Sequence, residues 1–109
     1  MVREISVEQL AAKLTSEKDS IVLVDVRQPR EHALAALPGS VLIPLNELEQ
    51  RAGELTFPEN RQVVVYCHHG IRSLTGGAIL ERCGFQNVVS LAGGIDAWSL
   101  RIDRSVPRY

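Results

Sequence analysis

The chain has 109 residues, 45% of them hydrophobic, enough for one buried core and the basis for expecting a single domain over residues 1–109. With 12 Lys plus Arg against 13 Asp plus Glu, the net charge is −1, and composition makes no electrostatic case for nucleic acid or an anionic membrane as partner. Met1-Val2-Arg3-Glu4-Ile5 carries no signal-peptide core and no apolar run approaches the roughly 20 residues of a membrane span, so cytoplasmic residence is the expectation.

Ser6-Val7-Glu8-Gln9 is a capping-box pattern, and Leu10, Ala11 and Leu14 recur at helical spacing, predicting a helix over residues 7–15. Ile21 to Val26 is an apolar run with one acidic interruption, Asp25, as expected of a strand buried on both faces of a parallel sheet. Pro29 fits the first turn of a short helix over residues 30–36, and Pro38-Gly39 ends it before a short strand, 41–43. Asn46 is placed to cap a third helix reaching about Gly53, and Phe57-Pro58-Glu59-Asn60 reads as a turn into a β-branched strand, 62–66. A helix from Ser73 to Cys83 follows, then a strand at 87–89, Leu91-Ala92-Gly93-Gly94, and a last helix that includes Ile95, Ala97, Trp98 and Leu100. There is no internal repeat or linker, and a polar tail covers residues 101–109.

Strands too apolar to have a wet face, alternating with helices, predict an α/β fold: a three-layer α/β/α domain around a mostly parallel sheet of about five strands. Ligands of such sheets bind beyond the carboxyl ends of the strands, where Cys67 falls.

Cys67 opens the loop Cys67-His68-His69-Gly70-Ile71-Arg72. Successive backbone N–H groups turned inward make an anion nest, the following helix adds its positive end, and Arg72 adds a permanent charge, all favouring a thiolate. Gly70 permits the tight curvature. His68 and His69 offer further positive charge or a contact to an anionic donor, although adjacent side chains are expected to point in different directions. A disulfide to Cys83 is disfavoured, because the intervening helix separates the two by about 15 Å, whereas a disulfide needs Cα atoms within about 7 Å. Cys83 reads as a small buried hydrophobe; a resolving-thiol role would require the helix to unwind. A zinc site would need several converging ligands, and only the Cys-His-His cluster with the remote His32 and Cys83 is available, so no metal is assigned.

These features together resemble the rhodanese family. The resemblance is carried by Asp25-Val26-Arg27 with Glu31 downstream, Leu37-Pro38-Gly39-Ser40 followed by Ile43-Pro44, the loop Cys67 to Arg72 with Ser73, and Leu91-Ala92-Gly93-Gly94 with Trp98. One departure is Ala35-Ala36-Leu37, where many relatives carry Gly-His. The resemblance implies a sulfurtransferase that moves sulfane sulfur from a small donor such as thiosulfate to cyanide, a thiol or a sulfur-carrier protein, through a persulfide on Cys67. No metal or organic cofactor is implied. Carried over by position, Cys67 and Arg72 are catalytic, and His68, His69, Gly70, Ile71 and Ser73 bind substrate, with Ser73 also capping the helix. Asp25 and Arg27 are then a polar support near the loop, or an internal salt link organising strand ends. Gly93 and Gly94 read as backbone necessities and Trp98 as core packing.

Cys67 and Arg72 have four residues between them, the spacing of the family's sulfurtransferases; the related phosphatases and arsenate reductases use a longer loop to enclose a tetrahedral oxyanion. Those activities, and a non-catalytic binding module, are the alternatives. The tail Ile102 to Tyr109 is similar to the end of rhodanese domains fused to E1-like enzymes that adenylate sulfur carriers. It also reads as a strap closing a sheet edge or covering core with Val106 and Tyr109.

Overall fold

The computed structural model describes residues 2–58 and 60–109; within the expected turn 57–60, Glu59 lies outside the described residues, as does Met1. In chain order the elements are β1 (Arg3–Ile5), α1 (Val7–Ser16), β2 (Ile21–Asp25), α2 (Pro29–Leu34), β3 (Val41–Leu42), α3 (Leu48–Arg51), β4 (Gln62–Tyr66), α4 (Arg72–Arg82), β5 (Val88–Leu91) and α5 (Gly94–Arg101). The strands form one five-stranded sheet in the order β1-β5-β4-β2-β3, and all pairings are parallel. No helix among the described residues is long and apolar enough to cross a membrane.

Alternation along the central strands divides the core in two. Val64 and Tyr66 face a cluster with Val7 and Leu10 of α1 and Ile95 and Trp98 of α5. Val63, Val65 and Cys67 face the other, with Leu48 of α3 and Leu80 of α4. This is the expected three-layer arrangement, since strands covered on both faces need apolar residues at every position.

Local signals explain most element ends. The Ser6 hydroxyl accepts from Gln9 N at 3.0 Å while the Gln9 side chain accepts from Ser6 N at 2.8 Å, completing the capping box. At the end of α4, Gly84 takes φ +101°, and Gly84 N and Phe85 N donate to Glu81 O and Leu80 O in a Schellman motif.

Several expectations are corrected. β1 was not foreseen: it is an edge strand of three residues, two of them exposed charges, with no alternation to read. The third helix is broken, with 3₁₀ turns at Leu45–Glu47 and Ala52–Glu54 flanking a four-residue α3, and Asn46 lies inside the first turn instead of capping. The short helix 30–36 is Pro29–Leu34, because Ala35 is already extended. Cys83 is exposed, not buried, since it sits at the solvent end of α4.

Candidate functional site

β4 ends at Tyr66, and the next residue, Cys67, is 1% exposed. Its sulfur sits in a polar cradle: Gly70 N donates to Sγ at 3.2 Å and Ser73 N at 3.3 Å, with Ser73 Oγ 3.5 Å away. Two inward N–H dipoles on one sulfur, at the first turn of α4, favour negative charge there. Ser73 does not cap α4, which begins at Arg72 without a side-chain cap; its buried hydroxyl instead lies between Cys67 and Ser90 Oγ, 2.7 Å away.

The outward side of the loop is held by α5. Ile95 N and Asp96 N donate to the carbonyls of Cys67 and His68 at 2.9 and 3.1 Å. This close approach explains the two glycines: Gly94 has φ +61°, and a Cβ on it would run into those same carbonyls. Gly70, at φ +95°, packs against the Gly93 amide.

His68 and His69 do not diverge. Their rings stack at 4.0 Å and 20°. Burial, then His69 beside it, pushes His68 below its ordinary value, so its ring is predominantly neutral at pH 7. His69 and Ile71 are exposed at the rim. His68, His69 and Asp96 place ligand atoms within 4.8 Å of one another, but the in-plane lone pairs of stacked rings run side by side instead of converging as a metal centre requires.

Arg72 turns to Glu31, with Nη1–Oε1 at 2.8 Å and Nη2–Oε2 at 2.9 Å. The permanent charge expected at Arg72 is therefore held in a bidentate ion pair. Arg72 is raised, chiefly by Glu31. Glu31 is lowered from 4.5 to about 2, first by Arg72 and against the cost of burial. A depressed carboxylate contributes stability that is complete above 4.5 and lost as pH falls through about 2. Over that window the urea midpoint of the wild-type chain is expected to fall toward that of Glu31→Gln; midpoints that fall in parallel would show that the pair contributes nothing.

Asp25 and Arg27 form the second ion pair, both 0% exposed. Asp25 Oδ1 accepts from Arg27 N at 3.0 Å and Nε at 2.8 Å, Oδ2 accepts from Nη2 at 2.7 Å, and His32 Nδ1 lies 2.8 Å from Oδ2. Arg27 Nη2 also donates to Ala35 O at 2.5 Å. This is the internal salt link, and it tightens the chain between the end of β2 and the end of α2. It also reaches the loop, because Arg27 Nη1 donates to Tyr109 Oη at 2.6 Å, and that hydroxyl donates to Glu31 Oε2 at 2.8 Å.

Three members of the cluster were missed as site residues in the sequence: Glu31, Ser90 and Tyr109. A signal existed for Ser90, the one hydroxyl in an otherwise apolar strand. Away from the loop, a cavity of about 390 Å³ with a mixed lining, Phe57, Cys83 and Phe85 beside Arg61 and Asn87, lies beyond the opposite strand ends; a whole helix, α4, separates Cys83 from Cys67.

The sequence profile of the rhodanese-like domain matches residues 6–101. The chain belongs to the rhodanese family. A sulfurtransferase of Allochromatium vinosum is 38% identical over 91% of this chain and 90% of its own length. The Arabidopsis thaliana rhodanese-like/PpiC domain-containing protein 12, chloroplastic, is 37% identical over 99% of this chain, which spans only 38% of that protein. The putative sulfur carrier protein YrkF of Bacillus subtilis is 37% identical over 90% of the chain, which spans 51% of it. Among solved structures, a rhodanese-like domain protein from Staphylococcus aureus superposes with a TM-score of 0.81, at 28% identity and 99% coverage of both chains. Residues 102–109 of this rhodanese lie outside the matched profile.

Proposed function

We propose that this rhodanese is a thiosulfate sulfurtransferase working through Cys67. The observation that carries the reading is the pair of N–H groups, from Gly70 and Ser73, closing on Sγ at 3.2 and 3.3 Å. The Cys67 thiolate attacks the outer sulfur of thiosulfate, the donor S–S bond breaks, and sulfite leaves with the bonding pair. The persulfide keeps the transferred sulfur as its terminal atom. Cyanide or a thiolate then attacks that atom, the Cys67–S bond breaks, and the thiolate returns. Electrons balance within the two displacements, so no metal or organic cofactor is needed. Arg72 helps hold the anionic donor, the remaining loop residues, His68, His69 and Ile71, shape the mouth, and Asp25 with Arg27 supports it.

A thiol or sulfur-carrier protein is the proposed biological acceptor, a reading supported by the name of YrkF and by the 34% identity over 82% of this chain to MoeZ, a probable adenylyltransferase/sulfurtransferase of Mycobacterium tuberculosis. Persulfide chemistry needs a reduced cysteine, which suits the cytoplasm. The reading is tested by incubating the protein with thiosulfate, measuring the gain of one sulfur by intact mass, and assaying conversion of cyanide to thiocyanate. Absence of the adduct together with hydrolysis of a phosphate ester would overturn it in favour of a phosphatase; absence of both would favour a binding module.

Arg72→Ala is expected to lower kcat/KM for thiosulfate about tenfold, or about 1.4 kcal/mol. The effect is modest for a lost cation because Glu31 already offsets the charge. Iodoacetamide alkylation of Cys67 at neutral pH should slow as well, since a positive charge near the thiolate is gone. An unchanged alkylation rate would argue that Arg72 is no part of the thiolate's environment.

A further inference from the structure

The segment after α5 folds back onto the mouth of the Cys67 loop. Ile102 N and Asp103 N donate to Trp98 O at 2.9 and 3.0 Å, and Val106 N donates to Asp103 O at 3.1 Å. Val106 is 9% exposed and plugs the cluster containing Ile95 and Trp98. Arg108 Nε donates to Asp96 Oδ1 at 2.9 Å, fastening the segment to the helix that bonds the loop carbonyls. Tyr109 then lies flat on His68, ring centroids 4.0 Å apart and planes 8° from parallel. Its hydroxyl sits between the two ion pairs, accepting from Arg27 and donating to Glu31. Burial holds the phenol above its usual range, so the proton it donates is retained at neutral pH.

A surface strap would need none of this polar contact. Glu31 Oε1 is already held by the capping-box bond from Gln28 N at 3.1 Å, and the bond from Tyr109 to Oε2, the fourth on this carboxylate, fixes the oxygen that the backbone does not. Arg27, fixed in turn by Asp25, is the anchor that sets where the phenol stands. Resting on the sulfur-transfer reading above, we infer that Tyr109 is a positioning residue: by bonding Glu31 it aims the Arg72 guanidinium at the mouth of the loop and so favours anionic reagents at Cys67. Arg72 is the group that meets the donor; Tyr109 acts through Glu31 and touches no reacting atom.

The test compares Tyr109→Phe with the wild-type chain, each with and without Arg72→Ala, and follows alkylation of Cys67 by iodoacetate and by iodoacetamide. Peptide mapping separates Cys67 from the exposed Cys83. In the Arg72 background, Tyr109→Phe is expected to lower the iodoacetate-to-iodoacetamide rate ratio about threefold and to raise the thiosulfate KM by a similar factor with kcat little changed, the scale of one lost hydrogen bond. In the Arg72→Ala background the same substitution should leave the ratio unchanged, the non-additivity expected of residues acting through one another. An equal fall in both backgrounds, or no fall in either, overturns the inference. The alkylation ratio needs no turnover, so the two readings fail separately. A chain that makes no thiocyanate but shows the Arg72-dependent ratio loses the sulfur-transfer reading and keeps the positioning role. One that turns over thiosulfate with ratio and KM unmoved by Tyr109→Phe does the reverse.

Discussion

Cys67→Ser is expected to abolish the one-sulfur mass gain and to lower thiocyanate production by about 10³-fold or more, the scale of losing a covalent nucleophile. Serine is only slightly smaller than cysteine and leaves the Gly70 and Ser73 amides an oxygen to bond, so the fold should survive. A hydroxyl at neutral pH has almost no anionic fraction, whereas a thiol has a useful one. The large loss therefore tests the nucleophile itself and not the cradle. Cys83→Ser is the paired control: it lies beyond the far end of α4, and persulfide formation should proceed without it. Retention of the mass gain in Cys67→Ser would move the chemistry to another residue.

The second large effect is on stability. Asp25→Asn should destabilise the fold by about 3–5 kcal/mol, because it leaves a fully buried guanidinium without its counter-charge. At most one oxygen of an asparagine can take the place of the two that Arg27 Nε and Nη2 now use, and its amide would face a donor. For a domain of this size the melting temperature should fall by about 15 °C or more. The double variant Asp25→Leu with Arg27→Met is expected to recover part of the loss, since no charge is then left alone. If the single variant melts within a few degrees of wild type, the pair does not hold the strand ends together as its geometry indicates.

Much of the architecture was legible because it follows from local pattern. Ile21 to Val26 and Gln62 to Tyr66 announce buried parallel strands by lacking a polar face, and Ser6 with Gln9 announces α1 through a bond closed within three residues. β1 was illegible because Arg3 and Glu4 point to solvent at a sheet edge; only pairing with β5, far along the chain, makes the segment a strand. α3 misled because a helical composition says nothing about 3₁₀ tightening on either side.

At the site, Cys67, Gly70 and Ser73 were legible as a loop because they are close in sequence. The charge balance was not. The sequence shows Arg72 as a permanent charge but not its partner, which lies 41 positions earlier; the hydroxyl that steadies Glu31 comes from 78 positions later. Periodicity and spacing describe neighbours on one element, whereas these contacts exist only once α2, the loop and the tail converge. The divergence expected of His68 and His69 failed for a similar reason. Alternation is a property of extended strands, and the loop is not one.

The bonds from Ile95 and Asp96 to the carbonyls of Cys67 and His68 have a kinetic consequence. A peptide group whose oxygen is fixed cannot rotate without breaking that bond, so the two peptides that lead from Cys67 toward the Gly70 amide are set when the chain folds, before any reagent arrives. The reorganisation that water would have to undergo around a developing sulfur anion is replaced by work already done in folding. Both displacements of a transfer cycle would then run against one unchanging template, and the rate at which the loop opens and closes would not limit turnover.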